Sequence, residues 1–102
     1  MRIMLACMAG MSTSILVNKM LDAAKEQGKD DYKIWAVEQG LIREELGNFD
    51  VLLLGPQVRH ILNKVTKIVD GQAPVGIIDS TAYGVGNGAA VLAQAEKLLG
   101  GE

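Results

Sequence analysis

Cysteine occurs once in this chain, histidine once, and aromatic residues only four times among 102 positions. A lone Cys7 cannot close an intramolecular disulfide. A lone His60 beside a lone thiol does not assemble the ligand set of a structural zinc site. Neither a covalent staple nor a metal is expected, and nothing in the sequence asks for an organic cofactor. Positive charge is not in excess either: 10 Lys and Arg face 12 Asp and Glu for a net charge of -2, which leaves no basic footprint for nucleic acid. Long apolar runs are missing as well, and none approaches the roughly 20 residues that cross a bilayer. Leu5-Ala6-Cys7 superficially suggests a lipoprotein signal, but the stretch before Cys7 is too short for the apolar core of a leader. The expectation is a cytoplasmic chain without direct membrane insertion, in a compartment that keeps Cys7 reduced.

What is present is aliphatic. Leu, Val, Ile and Ala dominate a composition that is 49% hydrophobic, the usage expected of strands covered by helices on both faces. The first apolar run, Ile3-Met4-Leu5-Ala6, is continuous and reads as a buried central strand. Ile15, Leu16, Lys19, Met20, Ala23 and Ala24 then recur at helical spacing up to Gly28. Lys33 to Val37 is β-rich behind the charged Lys29-Asp30-Asp31 and predicts an edge strand. A short helix over Leu41 to Leu46 should follow, closed by Gly47-Asn48.

Val51 to Leu54 is the clearest buried strand, and Gly55-Pro56 separates it from a predicted helix over Val58 to Val69. Val75 to Ile78 predicts a fourth strand, Asp79 to Gly88 a polar loop rich in glycine, and Ala89 to Leu99 a last helix. This βαβα order predicts a single domain over residues 1–102, built on a parallel sheet with right-handed crossovers. The loops opening at Cys7, Gly55 and Asp79 should converge beyond the carboxyl ends of the strands, where such sheets bind ligands.

The first of these loops carries the chemistry. Cys7 ends a strand, Gly10 permits a tight turn, and Ser12, Thr13 and Ser14 bring three hydroxyls to the start of a helix. Successive backbone N–H groups from Met8 through Ser14, together with the helix N-terminus, predict an anion cradle; the same donors favour the nucleophilic thiolate form of Cys7. A nucleophile and a phosphate site thus share one loop, which suits covalent phosphoryl transfer through Cys7. The spacing is similar to the phosphate loop of protein tyrosine phosphatases, except that Thr13 stands where those enzymes place arginine. Thr cannot reproduce the bidentate guanidinium clamp on transition-state oxygens, which weakens a hydrolase reading and favours a carrier.

The run Cys7-Met8-Ala9-Gly10-Met11-Ser12-Thr13-Ser14 resembles the active loop of lactose/cellobiose-type (chitobiose-type) IIB subunits of the sugar phosphotransferase system. Asp50 to Arg59, Ile78-Asp79, Tyr83-Gly84 and Asn87-Gly88 follow the same family, so the resemblance spans almost the whole chain. It implies a phosphotransferase component in which Cys7 takes phosphate from a histidine of a IIA protein and passes it to a sugar held by a membrane IIC protein. The implied sugar is a β-linked disaccharide such as cellobiose, chitobiose or lactose. Gln57 and Tyr83 are implied to lie on loops beside the phosphate loop, shaping partner docking or phosphate access. The expected fold is α/β with three layers, a four-stranded parallel sheet in the order 2-1-3-4, and a phosphatase-like phosphate-binding loop after strand 1.

Plainer readings stand beside these. His60, next to Arg59 at a helix start, reads as a surface or capping histidine. Gly84-x-Gly86-x-Gly88 suggests a dinucleotide motif but reads better as turn glycine, because the first βα turn carries the cysteine. Asp79 could be a general acid as in small phosphatases, but an N-cap or turn carboxylate fits better. Met8 and Met11 are either core filling or an adaptable docking surface. Two rivals to the carrier remain: a low-molecular-weight phosphatase or arsenate-reductase-like hydrolase working through the Cys7 loop, and a non-catalytic anion-binding module.

Overall fold

The computed structural model describes residues 1–8 and 11–100, with the backbone alone at residues 11 and 12. Along the chain come β1 (Arg2–Cys7), α1 (Met11–Glu26), β2 (Lys33–Glu38), a 3-10 helix (Gln39–Glu45) and β3 (Val51–Leu54). A second 3-10 helix (Pro56–Ile61) runs into α2 (Leu62–Val69), followed by β4 (Val75–Ile77), α3 (Ser80–Val85) and α4 (Gly88–Leu98). All three strand pairings are parallel and the order is β2-β1-β3-β4, as expected from the sequence.

Strand alternation divides the core in two. Ile3, Leu5, Val51 and Leu53 face one side and pack on Leu16, Met20, Val91 and Leu92 of α1 and α4. Met4, Ala6, Leu52 and Leu54 face the other and pack on Ile42, Val58, Val65 and Val69. With both faces covered, β1 from Ile3 onward and all of β3 need apolar residues, which is why their sequences run without alternation. Each fully buried Leu, Ile or Met contributes about 1.5–3 kcal/mol of transfer free energy. β2 is an edge strand and only half-buried, so its polar residues cost little.

Three elements differ from the sequence expectation. The helix read over residues 58–69 is broken: Pro56 opens a 3-10 segment, and Val58 adopts the non-helical φ -113°, ψ 21°. This backbone lets Val58 bury completely while the neighbouring Gln57 turns outward to bond Tyr83. The short helix before β3 is 3-10 rather than α and begins two residues early, at Gln39. The stretch read as a loop over residues 79–88 contains α3. Six residues with one buried side chain, Ala82, show no apolar stripe; caps hold them instead. Asp79 Oδ2 accepts from the Ala82 N–H at 2.9 Å, and Gly86 ends the helix in the left-handed region at φ 67°. Asn87 then caps α4 by accepting from the Ala90 N–H at 3.0 Å.

A polar cluster pins α4 to the connection between α1 and β2. Tyr32 Oη donates to Glu96 Oε2 at 2.8 Å, and Lys29 Nζ donates to the same oxygen. Burial raises the Glu96 carboxyl, but the bonds from Lys29 and Tyr32 outweigh it and hold the group below its ordinary range. Burial, reinforced by the bond to Glu96 and its charge, pushes the Tyr32 phenol up to about 12. A phenol raised in the folded state contributes stability that is complete below the ordinary value near 10 and is lost as pH rises through about 12. Alkaline titration of tyrosinate absorbance should therefore show Tyr32 ionising well after a free phenol, with melting temperature falling over the same range. In Glu96→Gln the Tyr32 transition should move back toward 10; an unmoved transition would contradict the role given to Glu96.

Candidate functional site

Cys7 is the last residue of β1, 3% exposed, at the carboxyl end of the central sheet and ahead of the first turn of α1. Burial on both faces of β1 fixes its position, because Ile3 to Ala6 are wholly enclosed. Ala9 and Gly10, expected to form the turn of the cradle, lie outside the described residues, as do the side chains of Met11 and Ser12. Met8 is 54% exposed, which assigns it to the surface rather than the core. Ser14 is exposed, whereas Thr13 is fully buried and its Oγ1 has no hydrogen-bond partner among the described residues. A buried hydroxyl left unsatisfied costs about 1–3 kcal/mol, so the residue at the arginine position is polar without a structural bond to justify it.

The loop after β3 closes on Cys7 from the side. The Gly55 N–H donates to the Ala6 carbonyl at 2.9 Å, and a β-carbon built at Gly55 would lie 3.7 Å from Cys7 Cβ. The same β-carbon would fall 2.8 Å from Gln57 Oε1, so the Gln57 side chain folds back over Gly55. Its Nε2 donates to Tyr83 Oη at 2.9 Å, joining the β3 loop to α3. The loop after β3 thus meets both the end of β1 at Cys7 and α3, with Gln57 and Tyr83 in direct contact. Asp79 is committed to capping α3, the role preferred over general acid. His60 is exposed on the second 3-10 helix, as a surface histidine would be.

Sequence reasoning missed Gln94. Its Nε2 donates to the Ile77 carbonyl at 2.6 Å and its Oε1 accepts from the Asp79 N–H at 3.1 Å. One amide on α4 thus brackets the exit of β4 and sets where α3, and with it Tyr83, begins. Only its half-buried place on an otherwise apolar turn of α4 could have marked it. Missed too were the most exposed large apolar side chains near the site, Ile15 at 62% and Val85 at 71%, which flank a surface cleft with Lys19 and Tyr83. Among the described residues no cluster of His, Cys, Asp or Glu could hold a metal ion, and no helix is long and apolar enough to cross a membrane.

Residues 2–94 match the family model for the lactose/cellobiose-specific IIB subunit of the PTS system. The chain belongs to this IIB family. A galactose-specific EIIB component from Lactococcus lactis subsp. cremoris is 46% identical over 103 residues, covering 95% of this chain and 94% of the relative. The oligo-beta-mannoside-specific EIIB component of Bacillus subtilis is 38% identical over 99 residues, covering 96% and 95%. Among solved structures, the cellobiose-specific IIB component of Borrelia burgdorferi is 36% identical with a TM-score of 0.80, covering 98% of this chain and 92% of that one. As a IIB component the chain is part of a sugar phosphotransferase, a transferase of the phosphotransferase system.

Gly55 offers a direct probe of the arrangement in this IIB chain. In Gly55→Ala the new methyl meets the far end of a flexible side chain, so Gln57 swings away cheaply and the fold loses less than about 1 kcal/mol. The Gln57–Tyr83 bond should be lost, read as a shift of the Gln57 side-chain amide resonances in NMR, while the melting temperature moves by only a few degrees. Unchanged amide resonances would show that Gln57 does not depend on the bare backbone at Gly55.

Proposed function

We propose that this IIB chain is a cytoplasmic phosphoryl carrier whose Cys7 is transiently phosphorylated. The observation that carries the reading is the placement of Cys7 at the sheet's carboxyl end, ahead of α1, with a buried Thr13 hydroxyl that has no partner among the described residues in that helix's first turn. Cys7 Sγ attacks the phosphorus of a phosphohistidine on a IIA protein; the S–P bond forms, the P–N bond breaks and the donor imidazole leaves with the electron pair. In the second step a hydroxyl of the sugar held by a membrane IIC protein attacks the same phosphorus, loses its proton to solvent or a base, and releases the thiolate. The sugar is a β-linked disaccharide of the cellobiose, chitobiose or lactose kind. No metal or cofactor is needed for either step.

Backbone donors from Met8 to Ser14 and the hydroxyls of Ser12, Thr13 and Ser14 hold the thiophosphate, with the helix N-terminus favouring its charge. Gln57, steadied by Tyr83, borders Cys7 and shapes access to the phosphate, and Asp79 serves by capping the helix that carries Tyr83. A neutral Thr13 stabilises bound phosphate without the cationic clamp that speeds attack by water, which suits a carrier and disfavours a hydrolase. Met8, Ile15 and Val85 form the exposed apolar rim on which partners dock briefly in turn.

Intact-mass spectrometry after incubation with a phosphorylated IIA donor tests the proposal. One added phosphate, lost again when membranes holding IIC and its sugar are supplied, is the expected result. Absence of any adduct, with steady release of phosphate from small aryl esters instead, would overturn it in favour of hydrolysis.

A further inference from the structure

In the apolar rim of the Cys7 site, Ile15 and Val85 belong to α1 and α3, on one side of the sheet. A second recess lies on the other side, between the Gln39–Glu45 3-10 helix and α2. It has a volume of about 230 Å³ and a floor that includes Ile42, Ile61 and Ile68. Arg43 stands on one wall and Lys64 on the other. The recess continues into a shallower groove of about 580 Å³, where Lys67 joins Arg43, Lys64 and Ile68.

None of these three cations makes an ion pair or a side-chain hydrogen bond among the described residues. Two carboxylates also face the cleft. Glu38 is folded back over its own turn, its Oε2 only 2.9 Å from where a β-carbon on Gly40 would lie, and Asp70 sits at the far end of α2. A chain of net charge -2 therefore gathers three cations without ion-pair partners among the described residues around an aliphatic floor. Arg43 and Lys67 also lie in the last turns of their helices, where the dipole favours a cation, whereas Lys64 does not.

We propose that this cleft docks an acidic segment of a protein partner that carries one aliphatic or aromatic anchor. The anchor enters the floor beside Ile61 and Ile68, and carboxylates on the flanking residues meet Arg43, Lys64 and Lys67. Concavity favours a polypeptide over a membrane surface, and Glu38 and Asp70 repel a sheet of anionic headgroups while fixing the register of a narrow segment. The cleft opens on the sheet face opposite the Cys7 rim, with Glu38, the register neighbour of Cys7, at its near end. A partner held on Arg43, Lys64 and Lys67 leaves Cys7 open to donor or acceptor. That last consequence rests on the carrier reading; the docking itself does not.

The full chain, labelled with ¹⁵N, is titrated with a short capped peptide of Glu and Leu, and separately with its Lys-for-Glu counterpart. Shifts centred on Ile42, Arg43, Ile61, Lys64 and Ile68 with the acidic peptide alone are expected. The triple variant R43E/K64E/K67E should bind about tenfold or more weakly, and Lys64→Glu by an intermediate factor, since each rim charge contributes modestly. Equal binding of the basic peptide, shifts elsewhere, or undiminished binding by the folded triple variant overturns the proposal. So does co-sedimentation of the wild type, but not the triple variant, with phosphatidylglycerol vesicles, which would assign the cleft to lipid. Phosphate uptake by the triple variant from a IIA donor should stay within about twofold of wild type, because screened surface charges act weakly at a distance. A selective loss of uptake places the cleft in the transfer reaction and overturns the proposal, whereas no uptake by the wild type overturns the carrier reading and leaves the peptide result to decide the docking.

Discussion

Cys7→Ser should cut phosphate acceptance from a IIA donor by at least about a thousandfold, the scale seen when a covalent nucleophile is removed elsewhere. The two side chains differ by one atom, so shape does not account for the loss. Serine's hydroxyl is scarcely ionised at neutral pH and is a far weaker nucleophile than a thiolate; the only histidine, His60, is exposed on a 3-10 helix. The fold pays little, because a hydroxyl replacing a thiol at a strand end costs about 1 kcal/mol and a few degrees of melting temperature. Thermal melting and intact mass on the same sample separate the two effects. A serine variant that still gains phosphate, or a wild type whose phosphate maps to another residue, would remove Cys7 from the reaction.

Gly88→Ala should unfold the protein more effectively than any single methyl added elsewhere. A β-carbon at Gly88 would lie 2.4 Å from the Lys19 carbonyl carbon, 2.5 Å from its oxygen and 2.6 Å from the Met20 nitrogen. These are backbone atoms of α1, which cannot swing aside as a side chain can. Alanine brings better helix propensity, worth at most about 1 kcal/mol. Overpacking against fixed backbone costs about 3 kcal/mol or more, so the clash wins. For a domain of this size the expected fall in melting temperature is on the order of 10–20 °C. Gly84→Ala is the control, because nothing lies within 4 Å of its added carbon. If the two variants melted together, α1 and α4 would not be in backbone contact at this crossing.

Much of this arrangement is legible in residue order. Continuous apolar runs at Ile3 to Ala6 and Val51 to Leu54 predict strands buried on both faces, and the strands obey. Cys7 followed by glycine and hydroxyl residues at a predicted helix start marks a candidate site in residue order alone. What escaped is held by polar contacts between distant segments. α3 has no periodic stripe and depends on Asp79, Gly86 and Asn87 as stops and caps. The kink at Val58 answers to Gln57 reaching Tyr83, 26 residues away. Gln94 reads as one polar residue on a helix until its two backbone partners, Ile77 and Asp79, are seen beside it. Periodicity reports which face a side chain takes, and says nothing of which distant backbone group it will meet.

Cys7 stands at the end of one of the two strands that have sheet neighbours on both edges and a packed layer on both faces. Amide protons of Ile3 to Ala6 should therefore exchange with solvent only when the whole molecule opens, whereas those of α3 and the 3-10 segments exchange through smaller excursions. Under the proposed carrier function, local opening around Gln57 or Tyr83 would admit and discharge a succession of partners while the sulfur keeps the same place at the end of β1.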